Sequence, residues 1–244
     1  MKWDDTGLIL SSRRHGDNSL ILSVLTLKHG KHSGFVRHKV TKKNSFIYEI
    51  GNVLDLTWTG RLEDQLGYYR CELIKSYSYN FFDNPLNLLA LNSFCEMQNN
   101  FLPERESYKN LYRESINFLK IVNYNNFDWL CAYIRWELKF LAELGYGIDL
   151  TSCAVTGQKE DLSFVSPKTG RAISASAAGV WKKRLLALPR FLVNSNISNI
   201  DKNSIIDGIN LTSFFLKKHL SMLGLKLPGS RDRFINEIHK INLD

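Results

Sequence analysis

Two hydrophobic periods divide the chain. Up to about residue 80, apolar positions alternate with polar ones or gather in short runs separated by glycine and polar turns. The runs are Gly7-Leu8-Ile9-Leu10, Ser19–Thr26, 32–37, 52–58 and 68–74, with Lys28-His29-Gly30-Lys31 as the turn between the second and third. Period-two alternation over a few residues is the mark of a strand with one buried face. Five such runs, Gly-punctuated and spaced by roughly 10–15 residues, predict a small closed barrel of the OB-fold type.

From Phe82-Asp83-Asn84-Pro85 onward the period becomes helical. Pro85 in a first turn, after Asp83 or Asn84 as cap, predicts a helix over 86–99 with Leu88, Leu91, Phe94 and Cys95 on one stripe. Pro103 and Glu104 are expected to open a second helix with Leu111, Ser115, Phe118 and Val122 on one side. Phe127, Leu130, Ile134, Leu138, Leu141 and Leu144 give a third, ended by Gly145-Tyr146-Gly147. Next, 162–165 and 172–174 flank Ser166-Pro167-Lys168-Thr169-Gly170, the pattern of a hairpin. A polar linker over 194–203 precedes two more helices, expected at 211–223 and 231–241. The expected architecture is α+β: an OB-fold barrel over 1–80 and a helical domain over 81–244, with a hairpin insert at 151–180.

Composition sharpens this picture in two ways. Hydrophobic residues make up 44% and charged residues 23% of 244, enough to bury a core, and no apolar run approaches the ~18 residues of a membrane span. The start Met1-Lys2-Trp3-Asp4-Asp5 is unlike a secretory signal. Cys71, Cys95, Cys131 and Cys153 form no Cys-x-x-Cys pair and read as reduced thiols, so a cytoplasmic location is expected. Charge is the second. The net of +8 is distributed as +6 over 1–46, −2 over 47–80, −3 over 81–150 and +7 over 151–244. Two basic ends suit a polyanionic partner.

Catalytic patterns do not emerge. Gly30-Lys31 lacks the rest of a phosphate-binding loop, and no dinucleotide-binding glycine pattern or nucleophile elbow occurs. The pairs Asp4/Asp5, Glu63/Asp64 and Glu160/Asp161 fall in expected turns or strand ends, and His15 with Asp17 has no nucleophile nearby. His29, His32 and His38 sit among Lys28, Lys31, Arg37 and Lys39, which would repel a metal ion. No catalytic residue, cofactor or metal is expected. Arg13, Arg14, Lys28, Lys31, Arg37, Lys39, Lys42 and Lys43 form the candidate DNA-binding set, because lysine and arginine supply most sequence-independent affinity for phosphates. Phe35, Tyr48 and Trp58 are candidate base stackers, with barrel core as the alternative for each. Trp181-Lys182-Lys183-Arg184 is a second basic–aromatic cluster, either functional or a core tryptophan beside a solvated face.

Several segments resemble the RecO family of bacterial recombination mediators. They are Gly7-Leu8-Ile9-Leu10; Arg14-His15-Gly16-Asp17-Asn18-Ser19; Thr26 to Lys31; and Gly34-Phe35-Val36-Arg37-His38-Lys39. The most specific is Arg135-Trp136-Glu137-Leu138-Lys139-Phe140-Leu141, running on to Leu144-Gly145-Tyr146-Gly147 and Cys153; Leu223-Gly224 and Ser230-Arg231 follow. The resemblance implies an OB-fold, a helical domain and a zinc-finger-like insert. It also implies binding of single- and double-stranded DNA, strand annealing, and help in exchanging single-strand binding protein (SSB) for RecA. The implied partners are RecR, the SSB tail and RecF. Many family members carry two Cys-x-x-Cys pairs in the insert; here Thr156 stands at the partner position of Cys153 and no thiol lies in 174–178. A zinc site needs about four ligands, so none is expected, and Phe164, Val165 and Ile173 are expected to hold the hairpin together. The SSB tail, as the resemblance brings it in, is acidic and ends in an aromatic residue. Arg135, Leu138, Lys139 and Leu141 are its candidate site, with Lys217 and Lys218 as extra charge. The rival readings are an RNA- or ribosome-associated OB protein, and a nuclease or nucleotidyl enzyme needing clustered carboxylates.

Overall fold

The computed structural model describes residues 1–16, 19–36, 44–62, 65–82, 84–122, 128–194 and 200–241. Asp17, His38, Glu63, Asp64, Asp83, Phe127 and residues 195–199 of the linker lie outside the described residues. The chain folds as two compact units, Met1–Asn123 with Pro228–Phe234, and Tyr124–Leu227 with Ile235–Asp244. The last barrel strand ends at Lys75, and the first compact unit runs on through the helices that follow it to Asn123.

The first unit is built on β1 (Lys2–His15), β2 (Ser19–Thr26), β3 (Gly30–Val36), β4 (Val53–Thr59) and β5 (Gly67–Lys75). They close into a barrel in the order β1-β2-β3-β5-β4, antiparallel except for the parallel β3–β5 pair. This is the five-stranded OB type of barrel that the spacing predicts. Its interior follows the alternation: Leu20, Leu22 and Val24 from β2, Leu54, Leu56 and Trp58 from β4, and Tyr69 from β5 are buried together. β1 is longer than its apolar run because it serves two partners, β4 with residues 2–8 and β2 with residues 7–15.

Helices α1 (Tyr79–Phe82), α2 (Pro85–Phe101) and α3 (Lys109–Ile121) follow. Asn84 caps α2, its Oδ1 accepting from the Leu86 amide at 2.9 Å, with Pro85 inside the first turn. α3 begins five residues later than Pro103-Glu104 suggests, because Glu104 is drawn into a bridge with Lys31 and the Arg105 amide donates to the Lys31 carbonyl at 2.8 Å. α2 lies against β1, where the Cys95 thiol donates to the Ile9 carbonyl at 3.8 Å. The Tyr112 hydroxyl of α3 donates to Thr6 Oγ1 at 3.3 Å. The helices thus cover the outer side of β1 around residues 6–10, and Leu8 and Leu10 are buried beneath them.

The second unit contains α4 (Asp128–Glu143), β6 (Leu162–Val165), β7 (Ala172–Ser174), α5 (Ala175–Ala178), β8 (Leu186–Ala187) and α6 (Lys202–Met222). α7 (Gly229–Lys240) ends the ordered elements. α4 ends as expected: Gly145 at φ +84° lets its amide reach the Ala142 carbonyl and the Tyr146 amide reach that of Leu141, a Schellman cap. α4 packs on α6, where any side chain at Gly208 would press on Ile134 and Phe191. Glu137, fully buried, accepts from Thr212 Oγ1 across the same contact at 2.5 Å. The insert is a three-stranded sheet in the order β7-β6-β8, the hairpin gaining a short third strand.

Candidate nucleic-acid interface

Strand register links one row of outward-facing side chains from strand to strand around the barrel. Arg13 pairs with Ile21, Ile21 with Phe35, Phe35 with Tyr68, Tyr68 with Thr59 and Thr59 with Lys2. None of the six is buried. Phe35 and Tyr68 sit side by side with ring centroids 5.9 Å apart, and His15 lies against Phe35 at 5.1 Å. Two aromatic rings thus occupy the middle of a row that begins at Arg13 on β1 and, having passed through every strand, returns to β1 at Lys2, far from Arg13 along that strand. Arg14 is exposed beside Arg13, and Arg70 lies two residues beyond Tyr68 on the same side of β5. Asp4, Asp55 and Glu72 are exposed on the β4–β5 side, as are Lys2, Arg70 and Lys75.

The expected cations separate into groups. Arg13 belongs to this row, and Arg14 is exposed next to it at the end of β1. Lys28 is exposed but sits in the turn level with Asp5 of β1, which accepts its amide, roughly 27 Å from Arg13 along the strand at ~3.4 Å per residue. Lys31 faces inward: it is 9% exposed, and its ammonium donates to the Asn99 carbonyl at 2.8 Å, near the C-terminal end of α2, where the helix dipole favours a cation. Burial lowers its pKa, with Glu104 opposing. Arg37, Lys39, Lys42 and Lys43 lie outside the described residues. Among the candidate stackers, Trp58 and Tyr48 are core, 0% and 5% exposed, and Phe35 alone reaches the surface. Sequence reasoning missed Tyr68 and Arg70. Their signal is the alternation Tyr68-Tyr69-Arg70, which puts Tyr69 inside and its neighbours outside.

In the second unit the candidate tail-binding residues divide. Lys139 is exposed and Arg135 and Leu138 are half-buried, whereas Leu141 is 1% exposed and belongs to the core. The Arg135 Nη2 donates to the Phe191 carbonyl at 2.7 Å, with the guanidinium over the Phe191 ring. Lys217 is exposed, while Lys218 donates to the Pro167 and Lys168 carbonyls.

The insert does not offer a zinc set. Cys153 is buried, and its sulfur accepts from the Ser174 amide at 3.3 Å and the Ser174 hydroxyl at 3.4 Å. Burial works to raise the thiol's pKa, but these bonds and those from the side chain and backbone of Thr156 outweigh it and bring it to about 6. Hydroxyls therefore face the one thiol where a metal would need further thiolates, and no cluster of three metal-ligating side chains occurs among the described residues. Val165 is buried, but Phe164 and Ile173 are only half-buried, so hydrogen bonds to sulfur join apolar packing in holding the hairpin. The purified protein is expected to carry no stoichiometric zinc; elemental analysis finding one dialysis-resistant zinc per chain would overturn this.

No helix among the described residues is long and apolar enough to cross a membrane. A five-stranded barrel with an aromatic–cationic outer face, followed by helices and a small sheet, is the architecture of an OB-type nucleic-acid-binding protein. Family models place it further. Residues 1–77 match the recombination protein O N-terminal model, and residues 83–228 match the C-terminal one. A Cereibacter sphaeroides protein named DNA repair protein RecO is 40% identical over 236 residues, covering 97% of this chain and 98% of the relative. Proteins of the same name from a Wolbachia of Drosophila simulans and from Rhodospirillum rubrum are each 36% identical, over 97% and 98% of this chain and 100% and 97% of their own lengths. The chain belongs to the RecO family.

Proposed function

We propose that this protein works in DNA repair and recombination, the processes its relatives are named for, by holding DNA strands without bond chemistry. The observation that carries this reading is the run Arg13–Ile21–Phe35–Tyr68, with Arg14 and Arg70 exposed beside it. Bases stack on exposed rings at ~1–3 kcal/mol each while flanking cations meet the phosphates, and neither interaction depends on sequence. A protein of this kind binds single strands, tolerates duplex, and favours annealing by bringing complementary strands together. In the cytoplasm it would act with RecR and RecF and help RecA replace SSB on single strands. The test is annealing of complementary strands coated with SSB, with and without the protein. Acceleration is expected; no acceleration on coated or naked strands, or equal affinity for structured RNA without annealing, would overturn the reading.

The SSB tail is assigned to the outer side of α4. Arg135 and Lys139 are one turn apart, Leu138 lies between them, and Leu141 supports the helix from the core. An acidic peptide ending in an aromatic residue needs an apolar contact beside a cation. Micromolar affinity is expected, about −8 kcal/mol. Lys139→Glu is expected to weaken tail-peptide binding at least tenfold, and Arg135→Glu to abolish it together with activity on SSB-coated strands, naked-strand annealing being spared. Because Arg135 also bonds the Phe191 carbonyl, the melting temperature of that variant is compared with the parent. Full peptide affinity in a folded Lys139→Glu protein would place the site elsewhere.

A further inference from the structure

The basic–aromatic cluster at Trp181 remains outside this reading. Trp181 lies in a 3₁₀ turn over Gly179–Arg184, none of whose residues is buried. It is 59% exposed. The other four tryptophans offer no comparable face: Trp58, Trp129 and Trp136 are at most 2% exposed, and Trp3 is stacked between His29 at 4.1 Å and Trp58 at 5.6 Å. An exposed indole that joins other exposed apolar side chains in one patch marks an interaction surface.

Beside it runs a groove of about 400 Å³ whose walls include Val155, Pro167, Ile173, Ala177 and Leu185 together with Trp181. Val155 is 69% and the adjoining Val180 89% exposed. Lys168 and Arg184 also line the groove, Arg184 lies over the Trp181 ring at 5.4 Å, and exposed Lys182 and Lys183 stand between them in sequence. Residues 151–193 carry seven Lys/Arg against two Asp/Glu, so the surroundings of the groove are strongly positive.

We propose that this groove is a second single-strand binding site, taking an unpaired nucleobase against Trp181 with its phosphates on Lys168, Lys182 and Lys183. It deepens the strand-holding reading above and rests on it. Mostly hydrocarbon walls grip a guest by its flat faces and read no base edge, which suits sequence-independent stacking. A single strand carries a flat ring and a negative charge on every residue, matching one exposed indole among four clustered cations. An acidic peptide carries its charges and its apolar anchors on different residues and matches this arrangement less well. A site on each of the two units gives one chain a hold on two strands, which is what annealing requires.

The full-length protein reports on this site through its own fluorescence, because Trp181 is the indole open to solvent. An oligothymidylate of about ten nucleotides should quench part of the emission and protect it from iodide, also in a Phe35→Ala/Tyr68→Ala protein. Trp181→Leu should remove the quench and weaken binding about tenfold in that barrel-defective background. Trp181→Phe, which keeps a stacking ring, should restore affinity without the signal, and so guards against a folding artefact. Lys182→Glu/Lys183→Glu should flatten the log–log salt slope by roughly 1.4, from ~0.7 per phosphate. If the oligonucleotide binds the parent by anisotropy yet leaves its tryptophan emission and iodide access unchanged, the groove proposal falls and the barrel reading stands. If it does not bind at all, both fall. If a peptide alternating Asp with Leu and Phe quenches Trp181 and the oligonucleotide does not, the groove is a protein-docking surface and the proposal is overturned.

Discussion

Replacing Phe35 and Tyr68 together by alanine is expected to weaken single-strand binding about a hundredfold. Each ring supplies a stacking surface at ~1–3 kcal/mol per base, and a loss near 2.7 kcal/mol in total is a factor of a hundred. Neither ring belongs to the barrel's buried cluster, so the fold should survive. Phe35 is half-buried, and its removal should lower stability by no more than ~1–2 kcal/mol. A stacking loss is salt-independent, so the log–log salt slope should stay at its parental value. That value should lie near −4 if about six phosphates are neutralised at ~0.7 each. Arg13→Glu/Arg14→Glu should do the reverse, flattening the slope by at least ~1.4 and abolishing annealing. The two variants therefore separate stacking from charge in one titration series. Parental affinity in a folded Phe35→Ala/Tyr68→Ala protein would remove this row from the site, and normal annealing by a folded Arg13→Glu/Arg14→Glu protein would remove the assignment of the barrel as the main DNA contact.

The strands were legible because alternation reports which residues face a core. The row across them was not, because it depends on closure. Nothing local to β3 or β5 says that Phe35 stands opposite Tyr68; only the parallel pairing does. The same limit explains Trp58 and Tyr48, large rings on a barrel segment that could serve either surface. Lys31 looked like one more surface cation in a basic run, yet tertiary contact with the end of α2 gives its ammonium a carbonyl partner. Pro103-Glu104 has the composition of a helix start, but the bridge to Lys31 takes those residues first. Trp181 was undecidable between core and surface, since Lys182, Lys183 and Arg184 accompany it in either case. Its exposure, and the groove beside it, depend on tertiary contacts that bring Val155, Pro167 and Ile173 next to Trp181, which no local pattern reports.

Asp5 is where a residue that reads as a surface acid carries the most structure, and Asp5→Ala is expected to destabilise the barrel by about 3 kcal/mol. Its side chain is 1% exposed. One oxygen accepts from the Thr6 amide at 2.8 Å. The other accepts from the Lys28 amide at 2.8 Å, the His29 amide at 3.3 Å and His29 Nδ1 at 2.9 Å. A single carboxylate thus ties the β2–β3 turn to β1 and orients the imidazole that stacks on Trp3. Alanine leaves these donors without their acceptor, at ~1–3 kcal/mol for each one water cannot reach. His29 is 32% exposed at its side chain, so water relieves the imidazole and the main cost falls on the amides. Asp5→Asn keeps the volume and one accepting oxygen but turns an NH₂ toward donors, and should cost about 2 kcal/mol. Both losses should appear as a lower urea midpoint with an unchanged slope. The turn lies at the far end of β1 from Arg13 and Phe35, so the folded fraction of either variant should bind single strands with parental affinity. An Asp5→Ala protein within ~0.5 kcal/mol of the parent would mean that solvent satisfies the turn as well as the carboxylate does.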